Sequence, residues 1–497
     1  MTAAMTESPE APPRTPFSGE RFAVVNPRTG AVDHQFSAPG RAEIDALART
    51  LRAGQARWSA AGLEHRIEAL QRWKRALQSD EDALVAALST DTGRYALAVG
   101  EVKSLGGLID RWCRLAPTLA LEEEARSTQH ASITFRSQYV PYALVGVMSP
   151  WNFPLSLALI DAVPAVLAGC AVLAKPSDVA PRFAAPLMRT VERVPELAAV
   201  LHVAPGGRET GEALVEVADA VCFTGSVKTG RLVAVHAARR FVPAFLELGG
   251  KDPVIVAKSA DLARATDIVL RASCQASGQA CQSLERVYVD RAIHDPFVAL
   301  LAAKAQAVPI NWPDTHAGVI GPFIWSGQAD IVAAQIADAV GRGATVLAGG
   351  RIEDHGGKWL RPTVLANVDH SMTIMTEETF GPVMPVMAYD TIDRAIELAN
   401  EGIYGLSAAV IAATLEEAED IGRRIDAGAV SLNDGALTAA TQEAEKHSFK
   451  LSGMGGSRMG PAGYTRFFRR KTLIRQTGAP MSIDALREER RGSPSGM

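Results

Sequence analysis

The chain has 497 residues, 47% of them hydrophobic. Single cores stop growing near about 250–300 residues, so this length asks for two or three domains and allows a deep cleft. A net charge of −4, from 51 basic and 55 acidic residues mixed along the chain, excludes a basic footprint for nucleic acid or an anionic membrane. The five cysteines, at 113, 170, 222, 274 and 281, lack Cys-x-x-Cys or Cys/His spacing, which argues against structural zinc and predicts free thiols in a reducing, cytoplasmic compartment.

Residues 1–19 are rich in Pro, Ser and Thr without an apolar targeting core, which predicts a disordered lead. Ser132 to Tyr142 alternates Ile133, Phe135 and Tyr139 with polar neighbours, as a projecting strand would. From about 143 to 250, short apolar runs alternate with helical patterns. The strand candidates are Ala143 to Met148, Ala171 to Lys175, Leu201 to Val203, Ala220 to Thr224 and Phe245 to Leu248. Such alternation predicts an α/β fold with a parallel sheet, and Asn152, Lys175, Gly225 and Glu247 fall at its carboxyl ends, where ligands collect. The most apolar stretch, Ala158 to Ala174, carries Asp161, Pro164 and Gly169 and falls short of the roughly 20 residues of a membrane span, so it predicts a buried helix running into a strand. A second α/β series follows Lys251, with strands at Val254 to Ala257, Arg286 to Val289, Thr345 to Leu347, Val383 to Met387, Ser407 to Ile411 and Ala429 to Leu432. Arg487 to Met497 reads as a frayed tail.

Two residues carry the sharpest chemical signal. Cys281 closes Ser277-Gly278-Gln279-Ala280-Cys281, and Glu247 stands among apolar neighbours in Leu246-Glu247-Leu248-Gly249-Gly250. A buried carboxylate is costly unless paired or used, and the following glycine pair lets the backbone turn sharply beside a ligand. Thiol and carboxylate together suit covalent catalysis followed by attack of water, with Glu247 as general base. The other four cysteines read as small buried apolar side chains.

Six segments then add up in order: Pro150-Trp151-Asn152-Phe153-Pro154, Lys175-Pro176-Ser177-Asp178, Phe223-Thr224-Gly225-Ser226, Glu247-Leu248-Gly249-Gly250-Lys251, Gly278-Gln279-Ala280-Cys281 and Glu378-Thr379-Phe380-Gly381-Pro382. Together they resemble the signature of the aldehyde dehydrogenase superfamily, over nearly the whole chain. The resemblance implies a Rossmann-like cofactor domain over 20–128 and 147–248 and an α/β catalytic domain over 249–445. It further implies a small oligomerisation arm with a C-terminal segment over 129–146 and 446–480, a tail over 481–497, and assembly as a homodimer or homotetramer.

It also implies roles. Cys281 is the nucleophile, and Asn152 with the Cys281 N–H binds the oxyanion. Lys175 holds the adenosine ribose, with Ser177 beside it. Asp178 can accept from a ribose 2′-OH and would repel a 2′-phosphate, which favours NAD while leaving NADP possible. Gly225 and Ser226 open a helix whose N–H groups suit phosphates. Glu378 holds the nicotinamide ribose, Phe380 packs beside the ring, and Trp151 and Gly249 belong to the same cofactor site. Phe153, Leu157 and Ile160 follow Asn152 on one helical face and are expected to wall an apolar substrate tunnel. Plain structural uses stand beside these roles: Asn152 as a turn former, Lys175 as a solvated strand end, Glu378 as a cap, Trp151 and Phe153 as core aromatics.

The implied reaction oxidises an aldehyde to a carboxylic acid through a thiohemiacetal and a thioester on Cys281, with no metal. A coenzyme-A-acylating relative and an idle scaffold of the same fold are the alternatives; Glu247 speaks against the first, and the joint presence of nucleophile, base and oxyanion donor against the second. Where many relatives carry a Pro-Phe-Gly-Gly loop, this chain has Glu443-Ala444-Glu445-Lys446-His447-Ser448-Phe449-Lys450, which is either a solvated loop or a changed substrate entrance.

Overall fold

The computed structural model describes residues 17–119, 121 and 123–488; 1–16 of the expected lead and 489–497 of the expected tail lie outside the described residues. Strands such as Leu144–Ser149 and Ala220–Thr224 are buried at every position, the pattern of strands covered on both faces, and they pair in parallel. They belong to a six-stranded sheet ordered Gly453–Met454, Ala244–Glu247, Ala220–Thr224, Leu144–Ser149, Ala171–Pro176, Leu201–Val203. Its first long strand is central and its successors lie on opposite sides, so a crevice opens at the carboxyl ends between Leu144–Ser149 and Ala220–Thr224. The helix Pro154–Ala168 leaves that crevice and stops at Gly169, whose φ of 102° only glycine adopts freely, before the chain enters Ala171–Pro176.

The second sheet has seven strands, ordered Thr345–Ala348, Thr363–Ala366, Val383–Tyr389, Leu284–Asp290, Asp252–Val256, Ala408–Ile411, Val430–Leu432. All neighbours are parallel except Thr345–Ala348, which pairs antiparallel at the edge. Alternate residues feed two cores: Ile255 and Tyr288 on one face, Val254, Val256, Val287 and Val289 on the other. Away from both sheets, Ile133–Pro141 and Phe468–Gln476 form a long antiparallel ribbon with Glu124–Arg126 alongside. Among the described residues no helix is long and apolar enough to cross a membrane.

Several boundaries differ from expectation. The lead does not extend to residue 19: the Ser18 N–H and hydroxyl donate to Glu43 at 2.9 and 3.1 Å, and the Gly19 N–H donates to the Ala38 carbonyl at 3.1 Å. The strand Leu144–Ser149 begins before position 147, so 144–146 belong to the six-stranded sheet and not to the ribbon. The C-terminal segment is also shared: Gly453–Met454 is the antiparallel edge of the first sheet, and Tyr464 and Phe467 are buried in its core. Thr363–Ala366 had no place in the sequence reading, because four residues behind Pro362 carry too little period to stand out.

Candidate active site

Two cavities meet inside the molecule. One, of about 600 Å³, runs over the carboxyl ends of the six-stranded sheet; the other, of about 350 Å³, lies between the helix Pro154–Ala168 and the segments around Cys281 and Thr438. Asn152, Glu247 and Cys281 line both. The residues singled out for chemistry therefore converge from three distant segments on the junction of two spaces.

The segment before Cys281 is conformationally tense. Ala276 and Ser277 have φ of 54° and 59°, in the left-handed region that L residues disfavour. Side chains strap it in place: Ser277 Oγ accepts from the Gly321 N–H at 2.8 Å, and buried Gln279 donates to the Pro322 carbonyl at 3.0 Å while accepting from the Ile324 N–H at 3.0 Å. Gly278 has no room for more than hydrogen, since a Cβ there would lie 2.2 Å from the Gly381 carbonyl carbon.

Arg94, which the sequence reading missed, ties this loop to Asn152. Its guanidinium is buried and donates to the Asn152 carbonyl and the Ala276 carbonyl, both at 2.6 Å. Asn152 Nδ2 in turn donates to the Gln279 carbonyl at 2.9 Å, which leaves its second N–H uncommitted. A lone arginine before a helix carries no local signal of such a role. Burial pushes the Cys281 thiol up to about 12; nearby Asp252 adds to this and Lys446 opposes it. The resting sulfur is thus protonated and needs a base or a cation to become a nucleophile.

Glu247 ends the strand Ala244–Glu247 with its side chain 16% exposed. Oε2 accepts from the Ser448 hydroxyl at 2.9 Å, and Oε1 lies 3.9 Å from Arg458 Nε. Arg458 is itself fixed by Thr224 at 2.6 Å and Asp161 at 3.1 Å, and Asp161 is also held by Arg466. The carboxylate is therefore balanced by a buried cation network rather than stranded among apolar side chains. Of its partners, Ser448 comes from the unusual loop, and Arg458 lies a few residues beyond it.

Trp151, Lys175, Ser177, Asp178, Gly225, Ser226, Gly249, Glu378 and Phe380 all line the larger cavity. Lys175 Nζ donates to the Gly206 carbonyl at 2.6 Å, and burial lowers its ammonium to about 8. Ser226 caps the helix Val227–Arg239 by accepting from the Thr229 N–H at 3.3 Å. The Trp151 and Phe380 rings meet edge to face at 5.4 Å. Glu378 accepts from the Gly250 N–H at 3.1 Å, and a Cβ on Gly249 would sit 2.5 Å from its oxygens. Burial, with Glu285 nearby, pushes the Glu378 carboxyl up to about 8. Buried Glu285 takes the N–H groups of Thr379 and Phe380 at 2.8 and 2.7 Å and the Lys251 ammonium at 2.9 Å, which fixes this motif against the second sheet.

Phe153, Leu157 and Ile160 line the smaller cavity, joined by Leu105, Leu108, Leu406 and Met459. Lys446 of the departing loop and Gln442 just before it also line it, so that loop is more than a solvated surface. Among the described residues no group of three or more His, Cys, Asp or Glu side chains is placed to hold a metal ion.

A family model described as "Aldehyde dehydrogenase family" matches residues 15–473. A Mycolicibacterium smegmatis protein provisionally named succinate-semialdehyde dehydrogenase [NADP(+)] is 32% identical over 89% of this chain and 86% of its own. Among solved structures, a provisionally assigned aldehyde dehydrogenase, PutA, from Anabaena variabilis is 48% identical, with a TM-score of 0.91 over 93% of this chain and 99% of that one. Betaine aldehyde dehydrogenase from Staphylococcus aureus, solved in complex with NAD+, is 26% identical with a TM-score of 0.87 over 94% of this chain and 93% of that one. On its fold, its motif order and these matches, the chain belongs to the aldehyde dehydrogenase family.

Proposed function

We propose that this protein oxidises an aldehyde to the corresponding carboxylic acid, with Cys281 as nucleophile, Asn152 and the Cys281 N–H as oxyanion donors, and Glu247 as the base that activates water. The observation that carries this reading is the placement of Asn152, Glu247 and Cys281 on the shared wall of both cavities. One space suits a dinucleotide and the other an aldehyde.

The larger cavity fits NAD or NADP by its chemistry: a helix N-terminus for phosphates at Ser226, a lysine and an acid at Lys175 and Asp178 for ribose hydroxyls, and Glu378 and Phe380 toward the reacting end. Bound there, the nicotinamide supplies a hydride acceptor. Asp178 makes NAD the expected partner; the NADP(+) designation of a relative keeps NADP as the alternative to be measured.

Cys281 adds to the carbonyl carbon, and the oxygen gains negative charge beside the free Asn152 N–H. Loss of hydride from that carbon leaves a thioester on Cys281. Glu247 then takes a proton from water, which attacks the thioester and frees the acid with return of the thiol. The high thiol value means that the first step requires the thiol proton to leave to solvent through the cavity as the site assembles, before Glu247 acts on water in the second half.

The ribbon Ile133–Pro141 with Phe468–Gln476, with Ile474 72% exposed, supports assembly as a homodimer or homotetramer. The five free cysteines support a reducing, cytoplasmic setting. The test is an aldehyde panel with NAD and with NADP in buffer free of coenzyme A. Steady NADH formation is expected, lost in Cys281→Ala while cofactor binding is retained. Turnover only with coenzyme A, or silence with cofactor bound, would overturn the reading.

A further inference from the structure

The smaller cavity contains a charge that the mechanism above does not use. Lys446 lines it, and among the described residues no hydrogen bond or ion pair engages its ammonium. The acids beside it in sequence are turned elsewhere: Glu443 accepts from the Gln442 N–H at 3.0 Å and Glu445 from the Ala462 N–H at 2.6 Å. Neither lines the cavity. The cavity's other cation, Arg458, is committed to Asp161 and Thr224 and lies against Glu247. Gln442, which shares the cavity wall with Lys446, is held by its backbone, its carbonyl accepting from Arg111 at 2.9 Å. Its carboxamide is free to turn inward.

An uncommitted ammonium and a carboxamide thus face a space whose wall is mainly apolar, with Leu157, Ile160 and Leu406 on it, and which also carries Asn152, Glu247 and Thr438. An anionic group brought into this partly enclosed space, with Glu247 on its wall, would be disfavoured without a partner, and a lysine placed there offsets that penalty. Resting on the aldehyde-oxidising reading above, we propose that the preferred substrate is an aldehyde with an apolar spacer and a carboxylate at its far end, held by Lys446 with Gln442 beside it. The loop that departs from the family pattern is then a specificity element. It sets charge preference at one point, Lys446, and touches the general base at another, Ser448.

The experiment compares kcat/KM for 4-oxobutanoate and 5-oxopentanoate with that for pentanal and hexanal, in wild type, K446M, K446E and K446R. The wild type is expected to favour the anionic aldehydes by about tenfold or more, the worth of one charge-assisted hydrogen bond, expressed mainly in KM. That preference should vanish in K446M, reverse in K446E, return in K446R and weaken with added salt. Equal use of charged and neutral aldehydes by the wild type, or an undiminished preference in K446M, overturns the anion site and leaves aldehyde oxidation standing. NADH from none of the four aldehydes, nor from a wider panel, overturns both.

Discussion

Arg94 donates to the carbonyl of Asn152 and to that of Ala276, each at 2.6 Å, and so fixes Asn152 against the loop that carries Cys281. These two segments adjoin different sheets, and neither can set the distance between amide and sulfur alone. The arginine does so from a third place, the start of the helix Tyr95–Leu115.

Replacing Arg94 with Met should therefore lower kcat by about a hundredfold, the scale of losing one oxyanion donor, with far less change in cofactor affinity. Steady-state kinetics beside cofactor titration would check this. A kcat within about twofold of wild type would show that the two loops hold their spacing unaided.

Gly278→Ala tests the close approach of the Cys281 loop to Gly381. The new methyl would lie 2.2 Å from a backbone carbon at a residue whose φ is 69°. Loss of activity with a fall in thermal midpoint is expected. An alanine enzyme of wild-type stability and rate would mean that the loop is not packed as described.

The Cys281 thiol, pushed up to about 12 by burial, predicts how the free enzyme reacts with iodoacetamide. Labelling of Cys281 should climb about tenfold per pH unit through pH 10 without a plateau. A plateau near neutral pH would show that the resting protein already holds a thiolate.

Buried Glu101 accepts from the Ser156 N–H at 2.9 Å, and burial pushes its carboxyl up to about 7. Because that value lies above the ordinary one of about 4.3, the folded state holds a proton the unfolded chain has released. Its contribution is full below the ordinary value and is lost as pH rises through about 7. Glu101→Gln should flatten the fall of thermal midpoint across that window. An unchanged slope would contradict the assignment.

Much of the architecture was legible because strands buried on both faces write themselves as unbroken apolar runs, as in Leu144–Ser149 and Ala220–Thr224. The motif residues were legible as a group because they follow the ends of those strands, and the fold brings them to the wall of the larger cavity. What stayed hidden depends on distant pairing. Arg94 and Arg458 carry no local signal, and Lys446 is one member of the unusual loop, until the fold brings them to Asn152, Glu247 and the smaller cavity. The two-residue edge Gly453–Met454 has no period to detect, and only its register with Glu247 defines it.

The central claim is an acyl group carried on Cys281 and released by water that Glu247 activates. Glu247→Gln enzyme, mixed with aldehyde and NAD and digested for mass spectrometry, should form about one NADH per site and hold the acyl mass on the Cys281 peptide. Continued turnover at the wild-type rate, or an acyl group on another residue, would contradict it.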